Sequence, residues 1–321
     1  MIIDNDGLMK INKLINKTPW LLIAGICFLC LRSASVFSDQ IIIDSGDQFN
    51  FAYNCMEKGE YSRAIGEFER FIYFFPENSR LDAAHFLIGI CYLKNKHYED
   101  ARNTFFMIIQ SEYGVQIKGK ALFMIAESYY QQGVLKEAEY YFTKVIKEYP
   151  VNELRNAALY RLGWTRMQED KWQEATEIFS MVKKDSLFYG SSIELAEQGL
   201  KGKTLSCKSP AAAGSLAAVL PGLGHVYVSR YQDAAVAFLV NGLFLWAIIE
   251  SFNNDHEILG GALCLLELGW YSGNIYSAVN SAHKYNRKVR NDFRKGLKDR
   301  LNLRLFTEGG NNVGLSLQFT F

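Results

Sequence analysis

Residues 57–101 read EKGEYSRAIGEFERFIYFFPENSRLDAAHFLIGICYLKNKHYEDA, and a pattern near the start of this stretch returns at its end. The pattern is an aromatic residue or leucine, an alanine three positions later and a phenylalanine four positions after that. Self-comparison of the chain finds it four times, 37 residues apart, with its alanines at positions 64, 101, 138 and 175. Its alanines and phenylalanines are Ala64 and Phe68, Ala101 and Phe105, Ala138 and Phe142, and Ala175 and Phe179. A fixed period of this length predicts a repeat architecture.

Each repeat contains two amphipathic helical segments. In the second segment, the alanine and the phenylalanine four residues later lie on one face of the helix. In the first, small residues such as Ala84 and Gly89 allow the partner helix to approach closely. One helix pair cannot bury its apolar face alone, so the pairs must stack. We therefore predict a mainly α fold in which residues 47–206 form a superhelix of about four helix pairs, capped by one further helix near residues 191–205.

The repeats resemble the tetratricopeptide family, whose usual period is 34 residues. The stretch 57–101 is similar, more narrowly, to the repeats of the BamD-like outer-membrane lipoprotein domain and of the YbgF-type periplasmic proteins. The resemblance covers residues 47–183. It implies a non-catalytic module that binds a protein or peptide partner on the concave face of the superhelix.

Residues 1–38 have the layout of a secretory signal peptide. Lys10, Lys13 and Lys17 precede an uncharged run over residues 20–31, and small and polar residues follow. This order of basic, apolar and small residues is typical of an export signal. The alternative is an uncleaved N-terminal anchor. Either interpretation predicts that the repeats leave the cytoplasm of a bacterium and lie in its periplasm, on a protein anchored in the inner membrane, with the outer membrane as the alternative.

A membrane module is predicted over residues 209–286. Residues 234–252 and 257–279 are both long enough to cross about 30 Å of hydrocarbon. The ten Leu, Ile, Val and Phe residues of the first stretch favour insertion by roughly −3 to −6 kcal/mol. In the second stretch Glu267 costs about +3 kcal/mol, which nearly cancels the apolar gain. We therefore expect the second stretch to insert as a hairpin with the first, and Asn241 and Asn274 to hydrogen-bond the Glu267 carboxyl.

The module resembles the small PGxG-type membrane modules of bacteria and is similar to the two-transmembrane-helix domain family. The matching residues are Pro221, Gly222, Gly224, Tyr227 and Arg230. The resemblance implies membrane association and little about activity. The Pro-Gly-x-Gly run is not a phosphate-binding loop, because no Gly-Lys-Ser/Thr follows it.

The number of membrane crossings is left open by the sequence. Nine Lys and Arg residues between positions 284 and 304 favour a cytoplasmic tail, which needs a third crossing over residues 211–228. The Pro-Gly break in that segment favours two crossings. Residues 287–321 are predicted to be a basic tail with a short β-hairpin, because residues 301–306 and 313–321 alternate apolar and polar side chains around a Gly-Gly-Asn-Asn turn.

Composition narrows the classes of function. A net charge of +1 argues against a general nucleic-acid binder, and the spacing of six cysteines and five histidines gives no zinc motif. No cofactor is predicted, and His225 with Asp233 is the only acid–base pair to consider. The sequence thus favours a membrane-anchored, non-catalytic protein-interaction scaffold, with no assignment of its oligomeric state. The alternatives are a transporter or channel component with Glu267 on a polar path, and an outer-membrane assembly-type factor.

Overall fold

The computed structural model describes residues 44–150, 153–308 and 312–319, which form thirteen helices and two strands. The predicted export signal, residues 1–38, lies outside this part of the chain. The helices of the repeats are α1 (Ser45–Glu57), α2 (Tyr61–Phe74), α3 (Leu81–Lys94), α4 (Tyr98–Gln110), α5 (Val115–Gln132), α6 (Leu135–Glu148), α7 (Glu153–Gln168), α8 (Trp172–Ser180) and α9 (Tyr189–Gly202). The remaining elements are α10 (Pro210–Val219), α11 (Leu223–Tyr227), α12 (Tyr231–Asn253), α13 (Glu257–Arg300), β1 (Leu301–Glu308) and β2 (Asn312–Phe319).

Helices α1–α8 form four consecutive pairs. Helix α9 packs against α8 in the place that the first helix of a fifth pair would take. Each helix contacts the one that follows it, so the pairs stack in chain order into a superhelix. The mainly α fold and the superhelix of paired helices predicted from the 37-residue period are confirmed. One hydrophobic cluster runs through all four pairs, as expected where no pair can bury its apolar face alone.

The same aromatic contact holds each pair together. The pattern phenylalanine of the second helix meets an aromatic ring of the first helix, with ring centroids 5.4 to 5.8 Å apart. The four contacts are Phe49–Phe68, Phe86–Phe105, Phe123–Phe142 and Tyr160–Phe179. Edge-to-face and tilted rings at this separation are favourable beyond the area they bury. All eight alanines and phenylalanines of the pattern are fully buried.

Small residues on the first helices make room for these phenylalanines. A Cβ at Gly89 would lie 2.5 Å from Phe105, and one at Gly163 would lie 2.5 Å from Phe179. Ala52 and Ala126 are fully buried at the equivalent positions of the other two pairs. The close approach expected from the small residues is therefore made through one ring in each pair.

The turn inside each pair repeats as regularly as the core. One repeat position in this turn has a positive φ in every pair, and its residues are Gly59 (79°), Lys96 (63°), Gly133 (84°) and Asp170 (63°). The next residue donates its N–H to the carbonyl five residues earlier at 2.9–3.0 Å, as in Glu60 to Cys55 and Lys171 to Arg166. This is the Schellman arrangement, which satisfies carbonyls left free at a helix C-terminus.

The C-terminal part is built differently. Helix α13 runs without a break for 44 residues, about 66 Å, so the boundary expected at residue 286 between membrane module and basic tail falls inside a helix. The predicted third crossing is also interrupted: residues 211–228 divide into α10, ten residues long, and the five-residue α11. Ten helical residues span about 15 Å, half of the hydrocarbon thickness. Strands β1 and β2 are antiparallel, with Leu301 opposite Phe319, and residues 309–311 of the predicted turn lie outside the described part.

Candidate functional site

The Pro-Gly-x-Gly segment forms the tight turn between α10 and α11. Pro221 is half-buried there. Gly222 has a φ of 89°, and a Cβ on it would lie 2.4 Å from the Ala234 carbonyl oxygen. A Cβ on Gly224 would lie 2.2 Å from the Ala213 carbonyl oxygen. Only glycine fits either position, so these residues serve close packing of backbone against backbone.

The polar residues of the same motif tie the short helices to α13. Arg230 Nη1 donates to Ser281 Oγ at 3.1 Å. Tyr227 OH accepts the Ser209 N–H at 3.1 Å. His225 Nε2 shares a hydrogen bond of 3.1 Å with Ser277 Oγ, whereas Asp233 pairs with Arg230. The acid–base pair considered for His225 and Asp233 is therefore not formed.

Glu267 is buried between helices with only 7% of its surface exposed. Both of its carboxyl oxygens lack a hydrogen-bond partner, as does Asn274 Nδ2. Asn241 Nδ2 donates to the Ala237 carbonyl of its own helix. The expectation that Asn241 and Asn274 hydrogen-bond Glu267 is therefore wrong. A groove beside the helices is lined by Asn274 and by apolar residues such as Phe244 and Trp270, and Glu267 is not among its lining residues.

The pair α12 and α13 presents an apolar face to the outside. Helix α12 buries only Ala234, Ala237, Asn241 and Ser251, while its large apolar residues point outward. The apolar face consists of the exposed residues Val236, Phe238, Leu239, Leu243, Leu245, Trp246, Ile249, Leu259, Leu265, Leu266, Leu268 and Trp270. Small residues at the helix contact and large apolar ones outside are the arrangement expected in lipid. By length and composition, one helix in the described part of the chain, α12, could cross a membrane.

A buried ion pair joins the first helices of pairs 3 and 4. Arg161 Nε donates to Glu127 Oε2 at 2.7 Å, and a second bond joins Arg161 Nη2 to Glu127 Oε1. The Arg161 guanidinium also lies 4.3 Å from the centre of the Tyr130 ring. Burial is the largest single effect and acts to lower the pKa of Arg161, but the charge and hydrogen bonds of Glu127 and the nearby Tyr130 and Tyr160 together raise the pKa. The pair is almost entirely enclosed, with 11% of the Arg161 side chain and 3% of the Glu127 side chain exposed.

The far end of α13 returns to the repeats and docks at the turn of pair 4. Asp170 Oδ2 accepts Arg290 Nη1 at 2.7 Å, and its Oδ1 accepts Arg294 Nη1 at 2.7 Å. Burial acts to lower the pKa of Arg290, but the charge of Asp170 and hydrogen bonds to Cys207 and Asp170 raise it overall. We call the receiving surface, formed by Tyr130, Trp164, Met167, Asp170 and Trp172, the Asp170 site.

Sequence reasoning missed these charged residues, although the repeat carries a signal for them. One period before Arg161 stands Met124, and two periods before it stands Leu87; one period before Glu127 stands Ile90. A charge at a position that is apolar in the two preceding repeats needs a partner, and here the two deviations pair with each other. Asp170 also departs from its repeat position, because Gly59, Lys96 and Gly133 stand there in the other turns and none of them carries a carboxylate.

Metal chemistry finds no support in the described ranges, where no group of three or more His, Cys, Asp or Glu side chains could hold an ion. Cys55 and Cys91 are both free and buried.

Comparison with solved structures returns repeat proteins of low similarity. Repeats of a putative kinesin light chain from Podospora anserina are 16% identical over 49% of this chain and 86% of that one, with a TM-score of 0.39. MamA from Desulfovibrio magneticus is 19% identical over 50% of this chain and 91% of that one, with a TM-score of 0.36. A tetratricopeptide repeat protein from Parabacteroides merdae is 15% identical over 79% of this chain and 98% of that one, with a TM-score of 0.37. These values are too low to carry an argument about binding or activity.

No curated protein matches the chain. The tetratricopeptide repeat family model matches residues 120–150 and 157–186. These segments cover most of pair 3 and most of pair 4, and they include Glu127, Arg161 and Asp170. The helix-pair superhelix is therefore of the tetratricopeptide type, and two of its segments match the tetratricopeptide repeat itself.

Proposed function

We propose that this protein is a membrane-anchored, non-catalytic scaffold of the bacterial cell envelope, which binds a protein or peptide partner through its tetratricopeptide superhelix. The observation that carries the membrane part is the contrast between its two halves. The superhelix encloses the four phenylalanines of the repeated pattern in one cluster. In the module, the buried apolar cluster comprises only Ala213, Val228 and Ala282, with Tyr227 packed against it.

The apolar face would have no favourable environment in water. Leu239 on α12 and Leu266 on α13 are each 62% exposed, and ten further large apolar residues surround them. Exposed large apolar residues in this number on two paired helices indicate contact with lipid or with another protein. The near absence of charge along α12 and its length favour lipid.

Membrane extraction tests the proposal. We expect the full chain, expressed in bacteria, to stay with the membrane after an alkaline carbonate wash. The double variant Leu239→Arg/Leu266→Arg should be released, because a charged side chain at the centre of a span costs about 2.5–3.5 kcal/mol. The control variant Asn50→Arg/Gln116→Arg adds the same charge at exposed positions of the superhelix and should remain bound. Release of the wild-type chain would contradict membrane anchoring.

A polar path through Glu267 is the second candidate, and the unpartnered buried carboxyl favours it. A transporter or channel component needs the charge or proton of this group to move a solute. In that case Glu267→Gln abolishes flux into proteoliposomes while membrane insertion is unchanged. Unchanged flux, or equal loss of flux and insertion, assigns the carboxyl to structure.

A further inference from the structure

The docked end of α13 carries an amphipathic pattern. Four residues follow Arg290 at distances of three, four, seven and eight positions: Phe293, Arg294, Leu297 and Lys298. This spacing places all five residues on one side of the helix. Leu297 is fully buried in the hydrophobic cluster of the superhelix, and Phe293 packs against that cluster. The neighbouring Lys295 points to solvent. One face of this segment is therefore a ligand of the repeats.

The charged contacts of this face meet the end of a helix. Besides Asp170, Arg294 Nη1 reaches the carbonyl oxygens of Met167 at 3.0 Å and Gln168 at 3.2 Å. These carbonyls belong to the last turn of α7, where backbone acceptors are free and the helix dipole is negative. A guanidinium bonded to a carboxylate and two such carbonyls is a strong, charge-assisted arrangement.

Aromatic side chains provide the rest of the Asp170 site. The Phe293 ring stands edge-on to Trp172, with centroids 5.7 Å apart. Lys298 Nζ lies 5.8 Å from the centre of the Trp164 ring and 5.9 Å from that of Tyr130. A cation at this distance from a ring face is attracted by it. The site thus recognises two arginines, two apolar side chains and a lysine in a fixed helical spacing.

Only pair 4 provides this combination among the four pairs. The turn position of Asp170 is occupied by Gly59, Lys96 and Gly133 in the others. Glycine offers no carboxylate, and lysine would repel an arginine. Asparagine and aspartate are also the non-glycine residues that tolerate a positive φ best, so Asp170 combines the turn conformation with the acceptor.

We propose that the Asp170 site is a receptor for basic amphipathic helices, and that residues 290–298 are its built-in ligand. The proposal rests on the scaffold function, because it names the partner class: a helix with arginines four residues apart and apolar residues three and seven positions after the first. A segment in the same chain has a high effective concentration at its site. An external helix therefore binds only by displacing residues 290–298.

Peptide binding to the full chain in detergent tests this. The probe is a fluorescent peptide of residues 286–300, followed by anisotropy. The variant Arg290→Glu/Arg294→Glu vacates the site and should bind the peptide about tenfold or more tightly than the wild type, in which the site is filled. Adding Asp170→Ala to that variant should abolish binding, and a peptide with both arginines replaced by glutamate should not bind to any chain.

Equal binding by the wild type and the vacated variant, or binding by neither, would overturn the proposal. The glutamate variant is checked for folding by its helical circular dichroism. If it has lost that signal, Arg290→Ala/Arg294→Ala takes its place, because it vacates the site without reversing charge. It must then bind the peptide more tightly than the wild type does. Membrane retention is measured separately on the same chains. Failure of anchoring therefore leaves the peptide result intact, and failure of peptide binding leaves anchoring intact.

Discussion

Single residues that depart from the repeat carry the strongest local interactions. Glu127 and Arg161 form an enclosed ion pair, whereas the residues one period earlier, Ile90 and Met124, are apolar. Removing one partner of a buried pair leaves an uncompensated charge and typically costs about 3–5 kcal/mol. We expect Glu127→Ala to lower the free energy of unfolding by about this amount, measured by urea denaturation of the full chain in detergent.

Two companion variants show whether the charge is the cause. Glu127→Ile/Arg161→Met removes both charges and installs the residues found one period earlier, Ile90 and Met124, so it should recover most of the stability. Glu148→Ala breaks an exposed pair with Lys144 and should cost less than about 1 kcal/mol. A loss for the double variant as large as that for Glu127→Ala would mean that side-chain volume matters more than charge.

The thiol of Cys91 is predicted to be unreactive in the folded chain. Burial raises its pKa from the ordinary value of 9.0 to about 12, and the reactive form of a thiol is the thiolate. The raised pKa also means that stability is lost as the pH rises from 9 towards 12, because the unfolded thiol ionises first. At pH 8.5 we expect iodoacetamide to label the exposed Cys207 in the native chain and Cys91 only after unfolding, as read by peptide mass spectrometry. Equal native rates at the two sites would contradict this.

At the scale of the element, the turns of the four pairs share one geometry but not one residue. Lys96 adopts a φ of 63° in the position that glycine fills in pairs 1 and 3, and this conformation strains a side chain. Lys96→Gly should therefore raise the stability of the superhelix by about 0.5–1 kcal/mol, and Gly133→Lys should lower it by a similar amount. Thermal unfolding followed by circular dichroism measures both.

The same substitution in pair 4 should act in the opposite direction. Asp170→Gly also relieves a φ of 63°, but it removes the acceptor of Arg290 and Arg294. Charged hydrogen bonds contribute about 1.5–3 kcal/mol each, which exceeds the strain that is relieved. A gain in stability for Asp170→Gly equal to that for Lys96→Gly would show that the docked helix adds nothing.

The superhelix could be predicted from the sequence because its packing residues repeat. Ala64, Phe68 and their equivalents mark the second helices, and the aromatic partners at positions 49, 86, 123 and 160 follow the same period. The docking of α13 could not be predicted in this way. Asp170 and Arg290 are 120 residues apart, and each taken alone is an ordinary solvated charge. The apolar residues of α12 and α13 could be predicted to lie exposed in a membrane module from residue types alone. That Glu267 has no hydrogen-bond partner could not be predicted, because it depends on how α12 and α13 pack.

At the scale of the whole molecule, the docked helix bears on the number of membrane crossings. Residues 290–298 contact the repeats directly, so the end of α13 and the superhelix lie on the same side of any membrane that the module enters. That requires an even number of crossings after the repeats. Because α12 alone among the described helices is long and apolar enough to cross by itself, a second crossing by the first half of α13 depends on its pairing with α12, in a hairpin whose tip is at residues 254–256. This opposes the charge bias of the tail, which favours three crossings.

Labelling of single cysteines in sealed membrane vesicles decides between two crossings and three. In a background without the native cysteines, Gln116→Cys reports on the superhelix, Lys295→Cys on the docked end of α13 and Asn254→Cys on the tip; all three positions are exposed. With two crossings, positions 116 and 295 lie on one side of the membrane and position 254 on the other. A membrane-impermeant maleimide then labels positions 116 and 295 in vesicles of one orientation and position 254 in vesicles of the opposite orientation. Detergent makes all three positions reactive. Labelling of position 295 together with 254, and not with 116, would require a third crossing and would separate Arg290 and Arg294 from Asp170. Because the contacts at Asp170 cannot form across a bilayer, that one result would also remove the basis of the built-in ligand.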